Sequence, residues 1–198
     1  MIGFKKFLNE VLAIDWGVKY EGDNILPNYG KPYKSETEFN TEMKLHYYPR
    51  YKKICEFGNF EIYYIVIKLA GGFYVYDKKQ RRFTMYLTTH SVKNNVIKIN
   101  ILGSTTYNKL KAYDFYHELI RHGYTLYTNE QSEGGQLVWS KLSKFKDVNI
   151  HGWYNGKAVN VSLSKDGDEI YLDHENGETY SDGEKRDGYG IALVAHKK

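Results

Sequence analysis

Three titratable side chains, Tyr116, His117 and Glu118, stand side by side in a segment whose apolar residues recur at helical spacing. Side chains of these types donate or accept protons in enzymes when their surroundings adjust their pKa values. No neighbouring sequence signal assigns a role to any of the three. They are candidates for acid–base chemistry, and only the fold can supply the geometry.

A Ser/Gly-rich stretch follows and predicts the start of a second helix. Ser132 is a favoured N-cap residue, and Gly134 and Gly135 leave room for another backbone or a ligand. One interpretation is a partner or ligand surface at a helix N-terminus, made of Gln131, Ser132, Gly134 and Gly135. The other, which the residues favour, is a tight strand-to-helix turn packed under Trp139.

Two polar clusters have structural explanations that weigh more than functional ones. Residues 46–53 interleave aromatic and basic side chains, a combination that can hold nucleic acid but more often forms a solvated surface. The acidic residues near the C-terminus are Asp166, Asp168, Asp173 and Glu175. Their spacing does not match a helix–loop–helix calcium site, so we predict no metal.

Strand and helix signals alternate from residue 96 onward and define the predicted core. They are a strand at 96–103, a helix at 109–122 ended by Gly123, a strand at 124–129, a helix bearing Val138, Leu142 and Phe145, a hairpin turning at Asn155 and Gly156, and a last strand at 189–195.

Upstream, residues 54–102 predict a run of antiparallel strands. The four strands are 60–70, 73–77, 83–90 and 96–103, with turns at Gly71–Gly72 and Asn94–Asn95. Because these strands precede the helices instead of alternating with them, we expect an α+β or mixed α/β fold.

The first third of the chain predicts an arm. Residues 17–50 are polar and rich in turn formers, and we expect a loosely structured connection. Within it, Ser35 and Glu38 predict a capped short helix running toward Leu45. We expect an N-terminal helix and arm at 1–53, followed by one domain at 54–198.

Composition limits the classes of function. The 198 residues carry 28 basic and 24 acidic side chains, and a net charge of +4 is too small to favour nucleic acid by itself. The one cysteine excludes an internal disulfide and a cysteine-based zinc cluster. No apolar run is long enough for a membrane span, so we expect a soluble protein of a cytoplasm.

The first ten residues resemble leaders of proteins from large tailed phages. The shared positions are Met1, Phe4, Lys5, Phe7, Leu8 and Glu10. In that group, some leaders target the capsid and are trimmed after a Leu/Ile-x-Glu triplet, which Leu8 and Glu10 match. The alternative, an ordinary amphipathic first helix, stays open.

Residues 60–195 resemble phage proteins related to the GNAT N-acetyltransferases. The matching segments are Ala-x-x-Phe-Tyr at 112–116, Gly-Tyr at 123–124, Gln-Ser-x-Gly-Gly-x-x-x-Trp-x-x-Leu at 131–142, and the closing strand at 191–195. The resemblance implies a central mixed, largely antiparallel sheet flanked by helices. It also implies acetyl-CoA as the cofactor, bound after the fourth strand.

The cofactor turn of such enzymes corresponds here to Leu102, Gly103, Ser104, Thr105 and Thr106. It lacks the paired glycines and the basic lead residue of the family. Two hypotheses follow from the resemblance. The first is a phage-encoded acetyltransferase of the host cytoplasm that modifies an amine, with Tyr116 as proton donor and Glu118 as a further catalytic candidate. The second is an inactive scaffold, packaged in the virion or made in the host, that binds a host or defence protein.

Overall fold

The computed structural model describes residues 26–67, 70–93, 95–128, 133–154, 157–163, 169–172, 179–181 and 192–198. The described residues form two compact units, one ending at Leu110 and the other beginning at Lys111. Both units contain helices and antiparallel strands, which confirms the mixed α+β class. None of the described helices is both long and apolar enough to cross a membrane.

The first unit is a helical segment followed by a five-stranded antiparallel meander. Its elements are α1 (Glu36–Glu42), a π-helical turn (Met43–Tyr47), β1 (Tyr51–Phe57), β2 (Phe60–Ile67), β3 (Ala70–Asp77), β4 (Arg82–Lys93) and β5 (Val96–Ser104). Each strand pairs with the next one along the chain. Four strands were predicted and confirmed. The fifth, β1, was missed because a bulge between Lys53 and Cys55 interrupts its alternation.

The predicted turn at Gly71–Gly72 is wrong, because both glycines lie within β3. Gly71 pairs with Val66, and the ring of Tyr64 covers it from the neighbouring strand. A Cβ at Gly71 would lie 2.1 Å from the Tyr64 hydroxyl oxygen. The glycine therefore makes room for a cross-strand aromatic ring. In the sequence, a glycine with this role cannot be told from a glycine in a turn.

The predicted turn between β4 and β5 is confirmed. Lys93 pairs with Val96, and Asn95 adopts a left-handed backbone with φ of 64°. Asn tolerates this conformation better than most residues, because its short side chain can bond to the local backbone.

The expectation of a loose arm is wrong for residues 26–50. The predicted cap is present: the Glu38 amide donates to Ser35 Oγ at 3.1 Å. Helix α1 then lays Phe39 flat on Tyr76, with ring centroids 4.0 Å apart. The core cluster of this unit comprises Leu26, Tyr33, Phe39, Met43, Tyr63, Ile65, Tyr74, Tyr76 and Phe83. The helix was predicted, but polar composition hid its packing, because few apolar residues suffice to cover the aromatic face. The division of the chain at residue 53 stays a prediction, and that position lies within β1.

The second unit contains two helices, four paired strands and a separate three-stranded sheet. Its elements are α2 (Ala112–Arg121), β6 (Thr125–Thr128), α3 (Glu133–Leu142), β7 (Val148–Tyr154), β8 (Lys157–Val159), β9 (Val161–Leu163), β10 (Glu169–Leu172), β11 (Thr179–Ser181) and β12 (Ala192–Lys197). Strand β12 lies between β6 and β7 and is antiparallel to both. Strands β9, β10 and β11 form a separate sheet with β10 in the centre.

The local predictions for this unit are largely confirmed. Helix α2 ends where expected: Gly123 has φ of 84°, and its amide donates to the Ile120 carbonyl at 3.0 Å. The predicted hairpin pairs Tyr154 with Lys157, and its turn residues lie outside the described residues. The closing strand, predicted at 189–195, begins at Ala192 among the described residues and runs to Lys197.

Candidate functional site

The predicted cofactor turn lies at the end of β5. Leu102, Gly103 and Ser104 finish the strand, and Thr105 and Thr106 follow it. Gly103 is paired with Tyr86 of β4, and a Cβ at Gly103 would lie 2.4 Å from the Tyr86 ring. The ring thus occupies the space that the missing side chain leaves open.

The backbone of this turn is already engaged within the sheet. The Thr105 amide donates to the Thr84 carbonyl at 2.9 Å, and the Tyr29 hydroxyl donates to the same carbonyl at 3.1 Å. A pyrophosphate would need backbone N–H groups that are free to point at it. The Thr105 amide is not one of them.

Polar atoms beside the turn nevertheless include an arginine and two hydroxyls. Arg82 Nε, Thr84 Oγ1 and Thr105 Oγ1 are buried and have no hydrogen-bond partner among the described residues. The Arg82 guanidinium lies 4.5 Å from the Tyr107 ring centroid and donates to the Gly30 carbonyl at 3.2 Å. Guanidinium and hydroxyl groups are anion ligands. Arg82 was not among the site residues predicted from the sequence.

Tyr116 is buried on the inner face of α2. Only 4% of the residue is exposed, and its ring meets Trp139 edge to face at 6.4 Å between centroids. Burial raises the pKa of the Tyr116 hydroxyl well above its ordinary value, since the phenolate would lose its hydration. The packing gives Tyr116 a structural role, and its role as a proton donor stays a prediction.

His117 turns to a partner thirty positions away in the sequence. Its Nε2 lies 2.8 and 3.0 Å from the two carboxylate oxygens of Asp147, and its ring stacks on Phe145 at 3.8 Å. The hydrogen bond from His117 lowers the pKa of Asp147. This contact joins α2 to the segment that enters β7. Sequence reasoning missed it, because no local pattern links positions so far apart.

Glu118 bonds within its own helix. Arg121 Nη1 donates to Glu118 Oε1 at 2.8 Å, one turn along α2. The three titratable neighbours therefore have three different partners: Trp139 packs on Tyr116, Asp147 binds His117, and Arg121 binds Glu118. Among the described residues, none of these three contacts joins two of the titratable neighbours.

The remaining predicted positions are only partly within the described residues. Gly134 and Gly135 lie in the first turn of α3, and Trp139 on the same helix is buried. The packed-turn interpretation stays a prediction. Several predicted positions lie outside the described residues: Gln131 and Ser132, the processing residues Leu8 and Glu10, and the acidic cluster at 166, 168, 173 and 175.

An exposed surface lies at the end of the π-helical turn. It consists of Lys44, Leu45, His46, Tyr48, Pro49 and Arg50, all exposed, and is called the 44–50 surface below. Leu45 and Tyr48 are each 73% exposed, more than any other large apolar residue among those described. The sequence singled out residues 46–53 for their mixture of aromatic and basic types. Exposure of a large apolar pair among cations fits a contact surface.

Comparison of the chain with protein-family models, with curated proteins and with solved structures found no match. The likeness to acetyltransferases therefore rests on the residues quoted for it. Two sets of groups bear on the function. One is the contacting residues of α2 together with the predicted cofactor turn, and the other is the 44–50 surface.

Proposed function

We propose that the chain is a phage-encoded binding protein on an acetyltransferase-like scaffold, which acts in the host cytoplasm on a host or defence protein. One observation carries the proposal. Tyr116, His117 and Glu118 of α2 each serve a separate packing or pairing contact, and among the described residues none of these contacts joins two of the three.

The order of elements in the second unit supports the scaffold. Within the described residues, the quoted family segments fall on α2, on the two residues before β6, on α3 and on β12. Helices α2 and α3 alternate with strands β6 and β7, and β12 pairs with both strands, antiparallel to each. Antiparallel strands that alternate with helices support the scaffold that the resemblance implies. Fold alone does not assign activity.

The cofactor turn supports binding without catalysis. The Tyr86 ring lies against Gly103, and the Thr105 amide donates to Thr84. An acetyl-CoA pyrophosphate would have to displace the ring or take a hydrogen bond from the sheet. Both changes would reduce its affinity.

The enzyme hypothesis keeps one supporting observation. The unpartnered groups of Arg82, Thr84 and Thr105 lie around the same turn and are of the types that hold phosphate oxygens. An acetyltransferase that uses them would bind acetyl-CoA through Arg82 instead of through paired glycines.

Calorimetry with acetyl-CoA on the purified full chain separates the two functions. In calorimetry we expect no saturable heat of acetyl-CoA binding. In a turnover assay with a panel of amines, we expect no thioester cleavage by either the wild type or Tyr116→Phe. Micromolar binding that is lost in Arg82→Ala and kept in Arg81→Ala would overturn the proposal. Arg81 is a matched control, because it is exposed and its guanidinium donates to the Lys34 carbonyl at 2.6 Å, outside the cofactor turn.

The binding partner is tested separately. Affinity capture from host lysate should yield one stoichiometric protein, and nonspecific recovery alone would remove the support for a host target. Intact mass measured on purified virions tests packaging and the leader together. Loss of residues 1–10 is expected if the Leu8 and Glu10 match is a processing site, and a full-length chain would exclude trimming.

A further inference from the structure

We propose that the 44–50 surface docks an acidic protein segment that also carries apolar side chains. This inference deepens the proposed binding function by naming the surface and the chemistry of the partner. It rests on the proposed function and on the exposure, backbone hydrogen bonding and charge of this surface in the first unit.

The surface is the outer side of a helical turn whose inner side is anchored. Met43 is 1% exposed and belongs to the core cluster, and Tyr47, one turn later, packs against the same cluster. Leu45 lies between these two residues, and Tyr48 follows the turn with an extended backbone. Both Leu45 and Tyr48 are 73% exposed, so the turn buries one pair of residues and leaves the other pair at the surface.

Backbone hydrogen bonds hold the turn to the sheet. The Val66 amide of β2 donates to the Arg50 carbonyl at 2.8 Å, and the Arg50 amide donates to the Tyr47 carbonyl. A surface that is already ordered loses little conformational entropy when a partner binds. Leu45 and Tyr48 therefore have the character of preformed anchors.

The charges of the surface are positive and uncompensated. Lys44 and Arg50 are exposed and have no ion pair among the described residues. By contrast, Lys53 pairs with Glu56 and Glu61, and Lys78 pairs with Glu56. The cations that flank Leu45 and Tyr48 are thus free to meet carboxylates on a partner.

The mixture of groups favours protein over nucleic acid. Bases stack on aromatic rings, and single strands need a groove of cations that follows the backbone. Here, His46 and Tyr48 carry rings on which bases could stack, whereas Leu45 and Pro49 offer apolar contact without a stacking face. Permanent charge on this surface comes from Lys44 and Arg50, and two cations do not make such a groove. Leucine beside basic residues complements a segment in which acidic and apolar side chains alternate.

The test is a selection from a displayed random-peptide library on the immobilised full chain, with counter-selection against the Leu45→Ser/Tyr48→Ser variant. We expect enriched peptides to be acidic and to contain large apolar residues. A labelled peptide from the selection should bind Leu45→Ser and Arg50→Glu at least about tenfold more weakly than it binds the wild type. Its affinity for Leu137→Ser should equal that for the wild type, because Leu137 is exposed but lies on α3.

Several results would overturn the inference. In the selection, these results are enrichment of basic or neutral peptides, or no enrichment at all. In the binding measurements, they are equal affinity for all variants, or displacement of the peptide by oligothymidine at equal concentration. Self-association that Leu45→Ser abolishes would assign the surface to a second copy instead. Acetyl-CoA turnover would defeat the proposed function and leave the peptide result standing, so the two failures are distinguishable.

Discussion

The ring of Tyr86 fills the space above Gly103, so that a Cβ at residue 103 would lie 2.4 Å from two ring carbons. The two residues are direct partners across β4 and β5. The Tyr86 ring is also held in place by Tyr29, whose centroid lies 4.9 Å away. A glycine that the sequence assigned to a cofactor thus has a packing role.

Gly103→Ala should destabilise the fold by about 1–3 kcal/mol, because the packed Tyr86 ring would have to move. Urea unfolding would measure the loss. Ser104→Ala, at the exposed next position, is the control and should change the free energy of unfolding by less than about 0.5 kcal/mol. Adding Tyr86→Leu to Gly103→Ala should recover part of the loss. Equal costs for Gly103→Ala with and without Tyr86 would refute the steric explanation.

Gly123→Ala should cost about 1–2 kcal/mol for a different reason. Gly123 has φ of 84°, and a Cβ there would meet no atom within 4 Å. The cost is therefore backbone strain alone, and Gly123→Asn should lose less, since Asn is the next best residue at this helix end. If Asn proves as costly as Ala in urea unfolding, the left-handed cap is not the cause.

Phe39→Ala should destabilise the first unit by about 3–5 kcal/mol, in the range for a buried aromatic truncation. The ring is 2% exposed and stacks on Tyr76. Leu45→Ala is the matched control on the following turn and should stay within about 0.5 kcal/mol. Similar, small effects for both variants would mean that residues 26–50 do not contribute to the core.

The His117–Asp147 contact should make stability depend on pH. Asp147 has a lowered pKa in the folded chain, so its contribution is complete above the ordinary pKa of 3.8 and is lost as the pH falls through the lower folded value. Asp147→Asn should therefore reduce stability near neutral pH and make progressively less difference in acid. Denaturant unfolding at several acid pH values measures the free energy of unfolding of the wild type and of Asp147→Asn.

His117→Gln is the complementary variant, because the amide keeps a hydrogen-bond donor but cannot carry a charge. This variant should keep part of the contact with Asp147. It should also make the free energy of unfolding depend less on pH in the acid range. A difference between wild type and Asp147→Asn that is constant across the acid range would contradict the assignment.

Local signals in the sequence predicted much of the fold. The β-branched and aromatic run of β2, the alternation in β5, the Ser35 cap and the Gly123 helix end all depend on residues within a few positions of one another. Such features are encoded in short stretches, because helix and strand periods and caps are local properties of the backbone. The mixed α+β class followed from the order of these elements.

Long-range contacts decided the rest. Gly71 resembles a turn residue until the ring of Tyr64 is placed over it from the neighbouring strand. The polar stretch 26–50 resembles a loose arm until Phe39 is set on Tyr76. Both errors arose where one residue's role depends on a partner that is distant in sequence.

By itself, the sequence determined most of the segments that become helices and strands, where several of them end, and which residue types could do chemistry. Only the tertiary structure decided what those residues do: Tyr116 packs on Trp139, His117 binds Asp147, and Glu118 binds Arg121. The physical reason is that backbone periodicity is local, whereas burial and pairing of side chains arise when distant segments meet.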